Sequence, residues 1–395
     1  MKSISLTLPA ALALAGFFLT CQTTHVAAGS STWIAAWGAS PVAADTGITL
    51  SNVTVRESTH LSLGGSQIRV RISNTFGSSP VTIGHATVAT SSLSGASDLS
   101  AGTLQDLAFN GQPQITVPPG AQALSDALTF SVDPGQNLSV SLYLPNAISS
   151  PSFNYYSQAT SYTSTAGDHT EETSGTAFAA STNSYFLFSG IDVYGSSAVG
   201  AVVTLGDSIT EGYGSTLNAN HRWPDYLAAR LLTNSSVYGV VNEGIGGNQL
   251  LLDGGIFGVN GLARLDRDGL AQSGVKDVVL ALGINDIIIS GQLDPSLFAT
   301  GYRQFAAQAH AVGVRVIGAT ITPFGAVGSQ EGTRQSVNAS IRGGGIFDAY
   351  VDFDAAVRDP SNPNSLLPAY DSGDHLHPND AGYKAMADQF SLSSF

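Results

Sequence analysis

The hydrophobic pattern of this chain changes once, near residue 197, and that change restricts the folds open to it. Before it, apolar and polar residues alternate in short segments, which is typical of half-buried strands; examples are 67–73, 81–88, 128–132 and 138–144. Turns rich in Gly and Pro, such as 118–120 and 133–135, separate these segments. This spacing predicts a β-rich, sandwich-like domain over residues 29–196.

After residue 197, apolar runs without alternation recur between helical stretches. The runs are 199–205, 237–241, 278–282 and 314–321, and the helical stretches include 223–232, 262–272 and 297–312. Buried parallel strands that alternate with helices predict an α/β domain over residues 197–395. Ser196 and Ser197 are too short a connection for a flexible linker, so we expect the two domains to pack against each other.

Residues 1–28 have the organisation of a secretory signal peptide. Lys2 precedes an apolar run at 4–19, and 26–28 offer the small residues of a cleavage site. The run is short for a membrane span, so we expect a secreted, extracellular protein without integral membrane association. A lipobox around Cys21 is the alternative. Cys21 is the only cysteine, so the mature chain would have no disulfide and no thiolate metal site.

The charge balance limits the partners. The chain has 15 basic and 29 acidic residues and a net charge of −14. A surface of this sign repels nucleic acid and anionic membranes. Polyanionic substrates are therefore disfavoured. We expect a small-molecule or polysaccharide ester as the substrate, no nucleic-acid partner, and a monomer.

Four polar segments follow the predicted strands or lie near the C-terminus: 206–208, 242–248, 283–286 and 374–378. In an open α/β sheet, ligands bind at the carboxyl ends of the strands. Hydrolysis of an ester by an activated serine needs a nucleophile, a base, a group that orients the base, and donors for the oxyanion. The four segments contain residues for each of these roles.

Ser208 is the predicted nucleophile, and His377 is the predicted base that takes its proton. Asp374, three residues before His377, can hold the imidazole tautomer. The predicted oxyanion donors are the Ser208 backbone N–H, the Gly247 backbone N–H and the Asn285 side-chain amide.

The motifs Gly-Asp-Ser-Ile, Asn-x-Gly-x-x-Gly-Asn, Gly-x-Asn-Asp and Asp-x-x-His-Pro resemble those of the SGNH (GDSL) hydrolase superfamily over residues 199–395. Ser208, Gly247, Asn285 and His377 match the four residues that name it, and Asp374 matches its triad acid. The resemblance implies a three-layer α/β/α sandwich with a flavodoxin-like parallel sheet of about five strands. It also implies a serine esterase that needs neither cofactor nor metal.

Weaker motifs resemble secreted two-domain members that are similar to carbohydrate acetyl esterases. They are Trp37 within 35–41, and the segments 73–77 and 248–251. The predicted substrate is therefore a carboxylic ester with a short acyl group, such as acetyl on carbohydrate. A lysophospholipase or short-chain lipase is the enzymatic alternative. A carbohydrate-binding protein on an inactive hydrolase scaffold is the non-enzymatic one.

Several residues near the motifs allow two interpretations. Gly246 could replace Gly247 as a donor if the segment is aligned one residue differently, and a backbone carbonyl could replace Asp374. His375 and His377 could bind a metal, but no third ligand is evident. Asp207 and Asp286 are predicted to accept hydrogen bonds from loop backbone N–H groups.

Two further clusters lie outside the four motifs. Arg264, Asp266 and Arg267 are predicted to form a solvated helix face or a set of ion pairs. The aromatic cluster of Tyr155, Tyr156 and Tyr162 could stack on sugar rings or simply pack in a strand.

Overall fold

The structure, a computed structural model, describes residues 32–44, 47–91 and 93–395. The predicted signal peptide at residues 1–28 lies outside the described residues. Among the described helices, none has both the length and the apolar character needed to cross a membrane.

The part before residue 197 is built from strands, as predicted. Two antiparallel sheets dominate it: one has the order β1-β18-β5-β10, with β11 also paired to β5, and the other has the order β16-β15-β4-β12-β7-β8. The strands are β1 Ile34–Gly38, β2 Val42–Ala43, β3 Thr49–Leu50, β4 Val53–His60, β5 Gly65–Ser73, β6 Val81–Ile83, β7 His85–Thr90, β8 Gln105–Asp106, β9 Ile115–Val117, β10 Gln122–Leu124, β11 Leu128–Val132, β12 Asn137–Leu144, β13 Ile148–Ser149, β14 Ser152–Asn154, β15 Ser161–Ala166, β16 Ala180–Thr182, β17 Tyr185–Phe186 and β18 Phe188–Tyr194.

Two details of these strands differ from the sequence expectation. The alternating run 81–88 is two strands, because β6 pairs with β9 whereas β7 pairs with β12. Strand β12 was predicted to be half-buried, yet both of its faces are buried. Its polar face is covered because the Arg56 side chain donates from Nε to Ser141 Oγ at 2.9 Å.

The part after residue 197 contains a parallel five-stranded sheet with the order β20-β19-β21-β22-β23. In chain order this is 2-1-3-4-5, the flavodoxin-like arrangement, so the predicted fold class is confirmed. The strands are β19 Gly200–Gly206, β20 Tyr238–Gly244, β21 Val275–Ala281, β22 Arg315–Ala319 and β23 Ala349–Val351, followed by the antiparallel pair β24 Arg358–Asp359 and β25 Asn362–Leu366.

Helices form the outer layers around this sheet. Helices α2, α7 and α8 contact one another, and α3, α4, α5 and α6 form a second group. Their bounds are α1 Ser208–Glu211, α2 Trp223–Leu231, α3 Gly261–Arg264, α4 Ile284–Ile288, α5 Pro295–Ala311, α6 Gly328–Arg342, α7 Phe353–Val357 and α8 Asp380–Asp388. The predicted helix 262–272 is α3 followed by a π-helical segment, Leu265–Leu270.

The strand-rich part is in direct contact with the parallel sheet. Strand β1 lies against β20, and the Ala35 backbone N–H donates to Ser273 O at 2.8 Å. Ser40 Oγ donates to the buried carboxylate of Glu243 at 2.6 Å. Because Glu243 lies near the carboxyl end of β20, the Ser40 bond brings the strand-rich part to the carboxyl edge of the parallel sheet.

Candidate active site

Ser208 lies at the carboxyl end of β19, the strand between β20 and β21 where the strand order reverses. Strand β19 ends at Gly206, and Ser208 begins helix α1. Asp207 caps this helix, because its Oδ1 accepts from the Ile209 backbone N–H at 2.9 Å. The predicted structural role of Asp207 is therefore confirmed. The cap fixes the direction in which Ser208 leaves the strand.

The Ser208 hydroxyl, the His377 imidazole and the Asp374 carboxylate form a continuous chain of hydrogen bonds. Ser208 Oγ lies 2.8 Å from His377 Nε2, and His377 Nδ1 lies 2.6 Å from Asp374 Oδ2. The other oxygen of Asp374 accepts from the backbone N–H of Leu376 and of His377, at 3.0 and 2.8 Å. With its Nδ1–H donating to Asp374, the imidazole presents Nε2 as an acceptor for the serine proton.

The acids around the site differ in their pKa values. Burial acts to raise the pKa of Asp374, but hydrogen bonds from the His377 backbone, the His377 ring and the Leu376 backbone outweigh it and lower the pKa to about 2. Burial raises the pKa of Asp207 to about 7 and that of Asp286 to about 6. Asp374 is thus the carboxylate of these three that stays ionised throughout the neutral range.

Gly247 and Asn285 line the same cleft as Ser208 and His377. No hydrogen bond within the described residues uses the backbone N–H of Ser208 or Gly247. Asn285 Nδ2 donates one of its two hydrogens to Asn248 O at 3.0 Å, which leaves the second for a ligand. All three predicted donors are therefore brought to one cleft.

Gly247 needs to be glycine for two reasons. Its φ is +72°, in the left-handed region, and a Cβ atom there would clash with the ring of Phe257. The neighbouring Gly246 differs, because its backbone faces the buried carboxyl of Glu211. This difference favours Gly247 over Gly246 as the donor.

Asp286 holds the loop that carries Gly247. Its two carboxylate oxygens accept from the backbone N–H of Leu250 at 2.8 Å and of Leu251 at 2.9 Å. The prediction that Asp286 binds loop backbone is confirmed. Because Asp286 follows Asn285 in α4, this pair of bonds fixes the Gly247 loop relative to the Asn285 amide.

Arg264 is a residue that the sequence analysis misplaced. The expectation of a solvated helix face is wrong, because Arg264 is completely buried and does not line the cleft. It donates to Gly206 O at 2.7 Å, to Glu243 O at 2.8 Å and to Asn248 Oδ1 at 3.0 Å. One guanidinium therefore joins the end of β19, the end of β20 and the Gly247 loop.

The ion-pair part of that expectation is correct for the two arginines but wrong for Asp266, because the acid they bind is Asp268. Arg264 and Arg267 both pair with Asp268, at 3.3 and 2.5 Å, and Asp266 is exposed. In the sequence, the i, i+4 spacing of Arg264 and Asp268 indicates an ion pair on a helix, but it does not indicate whether that pair is buried.

Two tyrosines from the strand-rich part, Tyr155 and Tyr156, also line the cleft. The Tyr156 ring lies 5.4 Å from that of Tyr213, which in turn lies 4.6 Å from the His377 ring. Tyr162 has another role, because its hydroxyl donates to Gly95 O at 2.8 Å.

His375 and the acidic residues nearby do not form a metal site with His377. The His375 side chain is 83 % exposed and pairs with Asp371 at 2.6 Å. Among the described residues, His85, Asp106 and Glu171 form the one group of three possible metal ligands. None of those three lines the cleft.

The chain was compared with protein-family models, curated proteins and solved structures. Residues 204–385 match the model of the GDSL-like Lipase/Acylhydrolase family. A search of curated proteins gives no match. Similar solved structures include a GDSL-like lipase from Bacteroides thetaiotaomicron, which is 21% identical with a TM-score of 0.34 and covers 48% of this chain and 84% of its own.

Two other solved structures are also similar over this part of the chain. A carbohydrate acetylesterase from Sinorhizobium meliloti is 17% identical, with a TM-score of 0.38, and covers 47% of this chain and 94% of its own. The M. smegmatis aryl esterase is 17% identical, with a TM-score of 0.39, and covers 48% of this chain and 94% of its own.

The part of the chain after residue 197 is thus a hydrolase domain with a flavodoxin-like sheet. Residues 204–385 are a GDSL-like lipase/acylhydrolase domain, and the chain is a carboxylic ester hydrolase.

Proposed function

We propose that this protein is a secreted serine esterase that hydrolyses uncharged carboxylic esters through an acyl-enzyme. The observation that carries the proposal is the chain of hydrogen bonds from Ser208 through His377 to Asp374, at 2.8 and 2.6 Å, beside a cleft. The signal-peptide pattern in the sequence of residues 1–28 supports the proposed extracellular location. Neither a cofactor nor a metal has a step in this chemistry.

In the first half of the proposed reaction, Ser208 Oγ attacks the ester carbonyl carbon while its proton passes to His377 Nε2. Negative charge develops on the carbonyl oxygen, where the Ser208 and Gly247 backbone N–H groups and the free Asn285 amide hydrogen stabilise it. His377 then gives its proton to the leaving alcohol, and the carbon–oxygen bond to that alcohol breaks. Asp374 stabilises the imidazolium that forms between these steps.

In the second half, a water molecule attacks the acyl-enzyme while His377 takes its proton. Collapse of the second tetrahedral intermediate releases the carboxylic acid and returns the proton to Ser208 Oγ.

A short acyl group fits the space near the oxyanion donors. The Phe257 ring packs on Gly247, and Leu376 lines the same cleft. The Phe257 ring narrows the region beside the Gly247 donor. We propose acetyl esters, such as those of carbohydrates, as the substrate class, acted on by a monomer.

The test is the Ser208→Ala variant assayed on p-nitrophenyl acetate. Removal of the nucleophile should lower kcat by about 10⁴- to 10⁶-fold. Ser336→Ala is the matched control, because Ser336 is an exposed serine in helix α6. Full activity of the Ser208→Ala protein would disprove the mechanism.

A panel of esters separates the proposed substrate class from its alternatives. We expect kcat/KM to be highest for acetyl esters, including acetylated xylan, and to fall along p-nitrophenyl esters of increasing chain length. A preference for lysophospholipid would identify a lysophospholipase instead. Oligosaccharide binding without hydrolysis of any ester would identify a binding protein.

A further inference from the structure

The turn that carries Tyr155 and Tyr156 has an unfavourable backbone conformation. Tyr156 and Gln158 both have φ values of +54°, in the left-handed region that residues with a Cβ atom seldom adopt. Such conformations persist only where the surroundings enforce them, and they cluster at functional sites.

Long-range hydrogen bonds hold this turn. The buried Ser157 donates from its backbone N–H and from its hydroxyl to Asn183 O, each at 2.7 Å. Its own carbonyl accepts from Arg222 Nη1 at 3.3 Å, and Gln158 O accepts from the Asn218 backbone N–H at 3.0 Å. Asn183 belongs to the strand-rich part, whereas Arg222 and Asn218 belong to the part after residue 197, so both parts of the chain hold the turn.

The turn presents aromatic rings to the cleft. Tyr155 and Tyr156 are 38 and 40% exposed, and their rings lie 4.2 Å apart. The chain of rings continues from Tyr156 to Tyr213 at 5.4 Å and from Tyr213 to His377 at 4.6 Å. We call Tyr155, Tyr156 and Tyr213 the tyrosine wall. It begins at the catalytic base and extends away from it.

The wall lies on the side of the cleft where the alcohol of the ester must be. His377 delivers its proton to the leaving alcohol, so that oxygen lies next to the imidazole in the transition state. The oxyanion donors Gly247 and Asn285 face the carbonyl oxygen instead. A group bonded to the leaving oxygen therefore extends along the side of the cleft that Tyr213 occupies.

The chemistry of the wall selects the kind of alcohol. Aromatic faces bind flat or weakly polar ring surfaces, and the tyrosine hydroxyls offer hydrogen bonds at the edge. Among the described residues that line the cleft, none is a lysine or arginine, so the wall supplies no cationic partner for an anionic group.

We propose that the tyrosine wall is the binding subsite for the leaving alcohol, and that it selects uncharged alcohols that carry a ring. The inference rests on the proposed esterase function and adds its alcohol specificity. Sugar rings and phenols share the required ring face, and the experiment separates them.

The experiment compares kcat/KM on three acetates: ethyl acetate, phenyl acetate and an acetylated methyl xyloside. The variants are Tyr155→Ala and Tyr156→Asn, because asparagine tolerates the positive φ of residue 156. Each variant should lower kcat/KM for a ring acetate by about 3- to 10-fold, mostly through KM. Ethyl acetate should change by less than about 2-fold, since it has no ring to stack.

Tyr350→Ala is the matched control, because Tyr350 is an exposed tyrosine on strand β23 that does not line the cleft. It should leave all three acetates unchanged. A loss confined to the xyloside would assign the subsite to sugars, and a loss confined to phenyl acetate would assign it to phenols.

Equal losses on ethyl acetate and on the ring acetates would overturn the subsite, because they indicate a structural role for the tyrosines. Unchanged kcat/KM on both ring acetates would also overturn it. Either result leaves the esterase proposal intact, provided that the parent protein hydrolyses all three acetates and the Ser208→Ala variant hydrolyses none of them. Measuring that variant in parallel thus separates failure of the subsite from failure of the proposed function.

Discussion

The two sides of the cleft are held in place in different ways. On the hydrolase side, Asp374 and His377 are three residues apart, and the Asp374 carboxylate is bound by the backbone and ring of the same turn. On the other side, the Tyr155–Tyr156 turn depends on Asn183 and Asn218, which lie in distant segments. Local contacts thus orient the catalytic base, whereas long-range contacts position the surface that we propose for alcohol selection.

The two sides also differ in the kind of interaction that holds them. Asp374 is ionised, and hydrogen bonds to charged groups are roughly twice as strong as those between neutral groups. The bonds that hold the tyrosine turn are neutral except for the one from Arg222. We therefore expect substitutions on the hydrolase side to affect every ester strongly and those at the tyrosine turn to affect ring esters weakly.

The largest effect in this comparison is expected for Asp374→Asn. The variant can no longer hold the imidazole in the tautomer that accepts the serine proton, and the corresponding change in a serine protease lowers kcat by about 10⁴-fold. We expect a loss of that order, equal for ethyl acetate and the ring acetates, with the fold preserved by circular dichroism.

His375→Asn is the control for Asp374→Asn, since His375 is exposed in the same loop and asparagine tolerates its φ of +64°. It should retain parent activity. Parent-like kcat in the Asp374→Asn variant would show that another group orients His377, so the local contacts of Asp374 would not be what orients the base.

A smaller effect is expected for Asn285→Ala. Loss of one oxyanion donor lowers kcat by about 10²- to 10³-fold and leaves KM nearly unchanged, because the bond forms in the transition state. The exposed Asn362→Ala provides the control. If kcat fell by less than about 3-fold, Asn285 would not be an oxyanion donor, and the amide would serve only to hold Asn248.

The difference between the two sides also explains what the sequence could predict. Some features could be predicted because each is a short run of residues with its own sequence pattern. They are strand β19, the Gly-Asp-Ser segment and the Asp374–His377 pair. The burial of Arg264 could not be predicted, because its hydrogen-bond partners Gly206, Glu243 and Asn248 lie on three other segments of the chain. A guanidinium that binds backbone carbonyls leaves no charge pattern in the sequence.

The role of the tyrosine turn could be predicted only in part, because its partners also lie in distant segments of the chain. The aromatic cluster was visible at residues 155–162, but stacking on sugars and packing in a strand were equally compatible with it. The structure separates Tyr155 and Tyr156, which line the cleft, from Tyr162, which binds Gly95. That separation depends on the docking of two domains, which no local pattern encodes.

The smallest effect, and the most direct test of the long-range side, is expected for Asn218→Gly. Asn218 Oδ1 accepts from the Thr160 backbone N–H at 2.7 Å, and its Nδ2 donates to Thr160 Oγ1 at 2.8 Å. Glycine removes both bonds while it accommodates the φ of +63°. Each neutral hydrogen bond contributes about 1 kcal/mol net. Without the two bonds the tyrosines should be held less firmly, and part of this free energy should then be lost from binding of the ring. We therefore expect kcat/KM on ring acetates to fall by about 2- to 5-fold.

Asn220→Gly is the matched control in the same loop. Its φ is +54°, and its side chain donates to Ser94 Oγ at 3.2 Å rather than to the segment that follows the tyrosine turn. It should leave the ratio of kcat/KM between phenyl acetate and ethyl acetate unchanged, whereas Asn218→Gly should lower that ratio. If both variants lowered the ratio equally, or neither did, the side-chain bonds of Asn218 would not position the tyrosines. The turn would then be held by the bonds of Ser157 to Asn183 and Arg222 and by the Asn218 backbone N–H.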